Sequence, residues 1–497
     1  MTSIKIKEIF YCENFARQFA VFCFVLLAPM FSLLCESQMD TAIVRTFGGP
    51  YFEEGKQMIE SAAGGYAIIG TTGSYQYNNT DFYLIRLDAD LNCMWSKAYG
   101  GLDVEWGQSI VEDNDGNFLM CGYTNSQGAG GYDVMVIKVD AAGEIIWEKK
   151  FGGVDWDFGY KIIEHPQSGF LICGKTYSYG NGGSDAYLLH IEDDGNLLNE
   201  WTYGGVGEDG FTSMLFLSDT QLIIGGFTQI AIDQHYAWVI SIGDDYIIQW
   251  QKLYDQFENS TITDMKLSND GYFLLSGNYI YEGAANNGFY EKLNDLGISS
   301  FIQSSNEYSV ESIVEGPEFL YVVGNTTLFG SGGSAAIILR LDLYSSWLNG
   351  AAFGGVFDEK AHDLIIDNQG SVLLLGASSS YSSNVSSDAY VVKFIDPVIV
   401  SNYALDVSGE NCFTVGNETD EKLEKMLVIQ DQLSISLNWV SGKYNVVLYD
   451  MNGACAIRNH MYTNNQRIST ENLAMGIYVM HITDGVQFLS RRISITH

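Results

Sequence analysis

Apolar residues along this chain come in short alternating runs rather than at helical spacing, and one run recurs. Tyr66-Ala67-Ile68-Ile69, Phe118-Leu119-Met120-Cys121, Phe170-Leu171-Ile172-Cys173 and finally Leu373-Leu374-Leu375 each end on a glycine. The glycines are Gly70, Gly122, Gly174, Gly226, Gly277, Gly324 and Gly376, at intervals of 52, 52, 52, 51, 47 and 52 residues. A repeat of about 50 residues built from short strands predicts a β-propeller, with one blade per repeat. Close packing of strands near a propeller axis gives the glycine a reason, since it permits a close backbone approach or a bulge.

The second unit shows how a blade is read. Tyr99-Gly100-Gly101 opens it, and a first strand, A, follows near Gln108 to Val111. Asp113-Asn114-Asp115-Gly116-Asn117 turns the chain into strand B, Phe118 to Cys121. A Gly/Ser-rich loop leads to strand C, Val134 to Asp140, and Asp140-Ala141-Ala142-Gly143 turns it into strand D, Glu144 to Phe151. Tryptophans recur in the D strands (Trp95, Trp147, Trp201, Trp250 and Trp347), a spacing that predicts packing between blades. The last unit stops at Pro397 without a D strand, while Thr41 to Gly49 is an orphan D-strand pattern at the start. The N-terminal strand is therefore predicted to complete the seventh blade. Blades five and six lack the Gly-Gly opener, which marks residues 253–350 as irregular and as a place for a special surface.

Beyond the repeat, two end segments stand apart. Arg17 precedes an apolar run from Phe19 to Leu34, short for a membrane span and right for a signal peptide over residues 1–37. The propeller is assigned to 38–397, a linker or first strand to 398–425, and a small Ig-like β-sandwich to 426–497, where alternation and turns resume. No other stretch is long enough to span a membrane.

Within the tail, Val447-Leu448-Tyr449-Asp450-Met451-Asn452-Gly453, Leu473-Ala474-Met475-Gly476-Ile477-Tyr478 and the basic-apolar end Arg491-Arg492-Ile493-Ser494-Ile495 resemble the C-terminal sorting domain of type IX secretion cargo in Bacteroidetes. The resemblance implies the type IX machinery as a partner, passage through the outer membrane, and release or attachment at the cell surface. The family's usual Asn-Pro near the first strand is absent here. The blades also resemble those of pyrroloquinoline-quinone propellers in one hairpin, Asp140-Ala141-Ala142-Gly143-Glu144-Ile145-Ile146-Trp147, which is structural there and implies no quinone.

Composition narrows the partners. The formal net charge is -36, a field that repels phosphate backbones and anionic lipid and argues against nucleic-acid binding. The cysteines are scattered and form no CxxC pair, and Cys121 and Cys173 read as small buried apolar residues.

Candidate chemistry sits in the repeated acids. Glu53, Glu105, Asp157 and Asp209 follow the Gly-Gly opener at steps of 52, with Glu359 in the last blade. A second set, Asp81, Asp133, Asp185 and Asp388, precedes strand C. Alternating strand directions put both sets on one rim, beside aromatics that include Trp106 and Trp156. Carboxylates beside aromatic faces suit a glycan or peptide ligand, and clustered carboxylates suit calcium. An acid repeated in every blade also has a purely structural use, accepting N–H bonds from its own loop. The chain lacks HExxH, P-loop and GxSxG motifs, and its one GxGxxG, Gly205 to Gly210, is a blade opener with no helix after it. The reading is an exported binding or scaffold propeller for a glycan, peptide or protein ligand. A hydrolase using rim carboxylates and a structural component of a surface assembly are its alternatives.

Overall fold

In the computed structural model of the chain, residues 42–75, 79–126, 128–231, 234–281, 284–328, 333–353, 357–380 and 386–394 are described, with the strand backbones lying between 407 and 495. The expected signal peptide, Pro397 and most of 398–425 lie outside the described residues. Strands from Ala42 to Phe394 form seven antiparallel sheets, which are the seven blades. Blade two is typical: Glu105–Glu112, Phe118–Thr124, Asp133–Val139 and Ile145–Phe151 pair in that order. Strands B and C are buried almost throughout, as the continuous apolar runs require, whereas strand D is largely exposed. Strand A is innermost and touches the A strands of both neighbouring blades. Seam clusters such as Ile69, Phe82, Leu84, Ile110, Met120 and Ile137 join one blade to the next.

The ring closes as the orphan segment predicts. Ala42–Phe47 pairs antiparallel with Asp388–Phe394, from Ala42 opposite Phe394 to Phe47 opposite Ala389. Val407–Gly409 adds a short parallel strand outside it. Both ends of the propeller thus meet in one sheet, which leaves the ring without an open seam.

The periodic glycine has a specific backbone cause. A Cβ on Gly70, Gly122, Gly174, Gly226, Gly324 or Gly376 would overlap the carbonyl oxygen of a strand A residue, respectively Glu54, Trp106, Phe158, Gly210, Ser309 and Lys360. On Gly277 it would stand 2.7 Å from the Thr261 oxygen. Beside that contact strand A slips register by one residue, at Gly55/Gln57, Gly107/Ser109, Gly159/Lys161, Phe211/Ser213, Ile262/Asp264 and Ala361/Asp363. The glycine accommodates a β-bulge, which places two residues of strand A opposite one of strand B.

The tryptophans do pack between blades. Trp147 and Trp250 each donate their indole N–H to a carbonyl in the next blade's C–D turn, Asp193 at 3.2 Å and Asp295 at 2.9 Å. Trp201 stacks on Tyr246 at 3.8 Å between ring centres. Tyr246 holds a positive φ of 59° at the turn position where other blades carry Gly143, Gly195 or Gly297. Trp347 departs from the pattern and is 68% exposed. Cys121 and Cys173 are buried and free; Cys93 is disulfide-bonded, a pairing the scattered cysteines gave no reason to expect.

In the tail, Leu427–Gln430, Ser434–Asn438 and Gln466–Ser469 form one sheet. Cys455–Tyr462, Tyr444–Asp450, Gly476–Thr483 and Phe488–Ile495 form another, in that order.

Two outcomes test this architecture. Deleting residues 40–47 is expected to lower the melting temperature sharply in scanning calorimetry, and an unchanged melt would sink the closure. Gly174→Ala is expected to cost about 3 kcal/mol in a denaturant titration, because the new methyl and the Phe158 carbonyl compete for one space.

Candidate functional site

The two predicted sets of acids turn out to be one set of pairs. Each C-strand acid meets the A-strand acid of the following blade across a seam: Asp81 with Glu105, Asp133 with Asp157, Asp185 with Asp209, and Asp388 with Glu53 around the ring closure. The first glycine of an opener lies between the carboxyls, and a Cβ on Gly48, Gly100 or Gly152 would collide with both members of its pair.

The A-strand acids Glu53, Glu105, Asp157, Asp209 and Glu359 are all 0% exposed. Their loops use them. Backbone N–H groups of Gly49, Gly101, Gly153 and Gly205 donate to Glu53, Glu105, Asp157 and Asp209 at 2.8, 3.1, 2.7 and 2.7 Å. Hydroxyls at the ends of the B strands or just beyond add Thr72 to Glu53 (2.7 Å), Thr124 to Glu105 (2.6 Å), Ser178 to Asp157 (2.8 Å), Ser378 to Glu359 (3.1 Å), and Thr228 to Asp209. The C-strand acids Asp133 and Asp185 accept from Ala129 and Asn181 at 3.0 and 2.8 Å. Burial dominates the electrostatics. It pushes Glu53 up to about 7 against its hydrogen bonds, and burial followed by the Glu105 charge pushes Asp81 up to about 7. Among the described residues no group of three or more His, Cys, Asp or Glu side chains is placed to hold a metal ion.

What faces the axis is a different set. Strand A alternates, so in blade three Asp157 and Gly159 are buried while Phe158 and Tyr160 are half-open to the axis. The same alternation turns inward the residue at the register slip, Lys56, Gln108, Tyr160, Thr212, Thr263 and His362, with Glu311 as the counterpart in blade six. Glu311 stands at this position although blade six's A strand is assigned only over Ser312–Glu315. These residues line an axial cavity of about 290 Å³, with Lys161, Asp264 and Asp363 among the residues below them. Every blade contributes to the lining, so the irregularity of blades five and six does not single them out.

Below the ring a belt of hydrogen bonds runs from blade to blade. Met58 N–H donates to Asp363 (2.9 Å), Ile110 N–H to Gln57 (2.9 Å), Ile162 N–H to Ser109 (3.2 Å) and Met265 N–H to Ser213 (3.1 Å). Ser312 donates its hydroxyl to Asp264 at 2.7 Å. Lys266 reaches Asp363 at 2.8 Å and Asp264 at 3.4 Å. Burial works against the Lys266 ammonium, yet those two carboxylates outweigh it and hold its pKa above the ordinary lysine value. Burial followed by Lys56 and Lys360 pushes His362 well below the usual histidine range, so its ring is neutral at neutral pH. Its buried Nε2 makes no hydrogen bond and lies 3.7 Å from Glu54.

Trp106 and Trp156, singled out from the sequence, sit on this same inner wall. Phe52 and Trp106 are 6.0 Å apart between ring centres. Trp156 leads inward through Phe158 to Tyr160 in centre-to-centre steps of 6.4 and 6.2 Å. The ring residues themselves escape a search for repeated positions because no two neighbouring blades share a charged one. Aligning the units on their periodic glycine and noting where strand A loses its repeat is the signal that finds them.

Comparison with known proteins supplies the address. Residues 429–496 match the secretion system C-terminal sorting domain. A search of curated proteins found no match. Among solved structures, the type IX secretion component PorZ of Porphyromonas gingivalis aligns at 11% identity and a TM-score of 0.36, over 87% of this chain and 69% of its own. Sqt1 of Chaetomium thermophilum aligns at 10% and 0.40, over 71% and 98%. The Pan2 WD40 domain of Neurospora crassa aligns at 9% and 0.34, over 60% and 91%. Likenesses at these scores carry no argument about function.

The raised carboxyls make a signed prediction. A carboxyl with a folded pKa near 7 favours the native state while protonated, and that advantage is lost as pH climbs from its unfolded value of about 4 through 7. Asp81→Asn mimics the protonated form. Its melting temperature is expected to match the parent's near pH 4 and to exceed it at pH 8; a constant offset between the two would contradict the assignment. The chain is a seven-bladed β-propeller carrying a type IX secretion C-terminal sorting domain, which marks it for secretion to the cell surface.

Proposed function

We propose that this protein is an exported binding module, delivered through its tail, whose ligand enters the axial mouth of the propeller. Residues 1–37 serve as the export signal, 398–425 link the propeller to the tail, and the two tail sheets pack as a small Ig-like sandwich that the type IX machinery reads. The ligand is a glycan, a peptide or a segment of another protein.

One observation carries the reading. Six of the seven inner strands keep a common bulge, while the inward-facing residue at that position varies around the ring, with threonine repeated only in blades four and five: Lys56, Gln108, Tyr160, Thr212, Thr263, Glu311, His362. Bulges aim side chains, and a ring that kept the backbone device for packing alone would have no need of this chemical variety. In this reading the acid pairs Asp81–Glu105, Asp133–Asp157, Asp185–Asp209 and Asp388–Glu53, with Glu359, fix the loops around the mouth. Trp106 and Trp156 reach the ligand.

Binding fits the axial chemistry better than turnover. Asp363 is held below the usual carboxylate range because Lys266 and Lys161 outweigh its burial. Asp264 is occupied by Ser312 and Lys266. Asp363 is therefore not poised to exchange a proton near neutral pH.

Gln108→Ala and His362→Ala are expected to abolish or strongly weaken binding on glycan and peptide arrays while melting like the parent. Trp347→Ala, on an outer strand, is expected to leave binding intact. Arrays on which the ring variants and the parent retain the same ligands would overturn the proposal.

A further inference from the structure

We infer that the ligand of the axial mouth is a neutral glycan, led in along an aromatic ramp on blade three. The inference rests on the proposed axial binding site and names its ligand class.

The ramp comes from strand alternation. Phe158 and Tyr160 share one face of the innermost strand, and Trp156 stands just before its first residue, in the same phase. Trp156 stands at the rim and is 55% exposed. Tyr160 lines the cavity itself. Phe158 holds the two in place: its ring is parallel to that of Tyr160, within 3°, and Tyr123 meets it edge-on at 4.9 Å. Lys175 lies over Phe158 at 5.2 Å, braced by rings rather than aimed into the cavity. The adjoining inner wall, on blades four and five, is small and hydroxylated, lined by Thr212, Thr261 and Thr263. An aromatic wall beside a hydroxyl wall matches a pyranose, which offers an apolar face to rings and hydroxyls around its edge.

Charge selects among the candidates. Lys56 is paired with Glu54 at 2.8 Å. Lys266 is paired with Asp363, and Lys161 lies 4.0 Å from Asp264. Glu311 accepts from Ser309, Asn278 and Asn325 at 2.8, 3.1 and 3.2 Å. The cavity's lysines are thus each met by a carboxylate, and Glu311 by three neutral donors, within a chain of net charge -36. An anionic sugar would meet no uncommitted cation there and a repelling long-range field. A peptide C-terminus would likewise find no uncommitted cation. At about 290 Å³ the cavity is at the small end of ligand sites, suited to a chain end rather than a folded partner.

The test is titration calorimetry of the full chain with gluco-, manno-, xylo- and chito-hexasaccharides, polygalacturonate and a casein peptide digest. At least one neutral hexasaccharide is expected to bind. Trp156→Ala should weaken it about tenfold without lowering thermal stability, as loss of one stacking ring implies. Tyr160→Phe, which removes only the hydroxyl, should weaken it less. If only polygalacturonate or peptide binds, and Gln108→Ala abolishes that binding, the glycan inference falls and the axial site stands. If a neutral hexasaccharide binds with Trp156→Ala and Gln108→Ala both without effect, or if no probe binds, the inference fails. Insensitivity to Gln108→Ala also removes the axial reading.

Discussion

The ring depends on a contact that contains no side chain. In each blade a carbonyl of the innermost strand crowds the α-carbon of the periodic glycine, at or within the space a Cβ would need. The contact is what the bulge beside it requires. An ordinary antiparallel pair would keep the carbonyl in the plane of the ladder, whereas an extra residue in strand A turns it toward strand B. The glycine and the bulge are therefore one feature seen in two strands. The glycine contact, present in all seven blades and accompanied by the bulge in six, sets the tight inner radius, and the tapering blades that follow from that radius give buried B and C strands and a more open D strand.

A second consequence lies at the seams. Bringing blades together so closely places two carboxyls beside one glycine, and most of them are completely buried. Burial of like charges is unfavourable, and two responses are visible. Backbone N–H groups and hydroxyls solvate the A-strand acids from within the loops. Where that is insufficient the proton is held to higher pH, as the raised values of Glu53 and Asp81 indicate. Near neutral pH these seam acids are therefore partly protonated and contribute less to the outward field than the formal net charge of -36 counts.

The fold was legible because its constraints repeat. Gly70 to Gly376 counted the blades, the orphan Thr41 to Phe47 supplied the missing strand, and the spacing of Trp147 and Trp250 gave the inter-blade contacts. The acids were legible as one rim, and their pairing across the seams follows from strand direction once the sheets are assembled. The axial ring was not legible by the same route. Lys56, Gln108, Thr212 and His362 share a backbone position and no side-chain chemistry, so a search for recurrence passes over them. They fall in phase with the inward-facing residues before them, as Tyr160 does with Phe158, and the bulge breaks the alternation only at the next residue. Irregular blades drew attention to residues 253–350, and Thr263, Asp264 and Glu311 do lie there, but the site takes one residue from every blade.

Conserved spacing and changing chemistry answer different demands. The tail directs the chain to the surface and is separate in sequence from the axis, so it places no constraint on what the axis recognises. The belt of N–H bonds from Met58 to Asp363, Ile110 to Gln57 and Ile162 to Ser109 restrains the strands just below the ring. Each such bond contributes about 1 kcal/mol. Thr212 and Thr263 add hydrogen bonds to the Ile262 and Val310 carbonyls of the next blade at 2.6 and 2.8 Å, so the inward-facing Lys56, Gln108 and Tyr160 of blades one to three are the freest to vary with little effect on stability. A surface protein built in this way can acquire a new ligand by exchanging side chains at such positions while the ring that presents them stays the same.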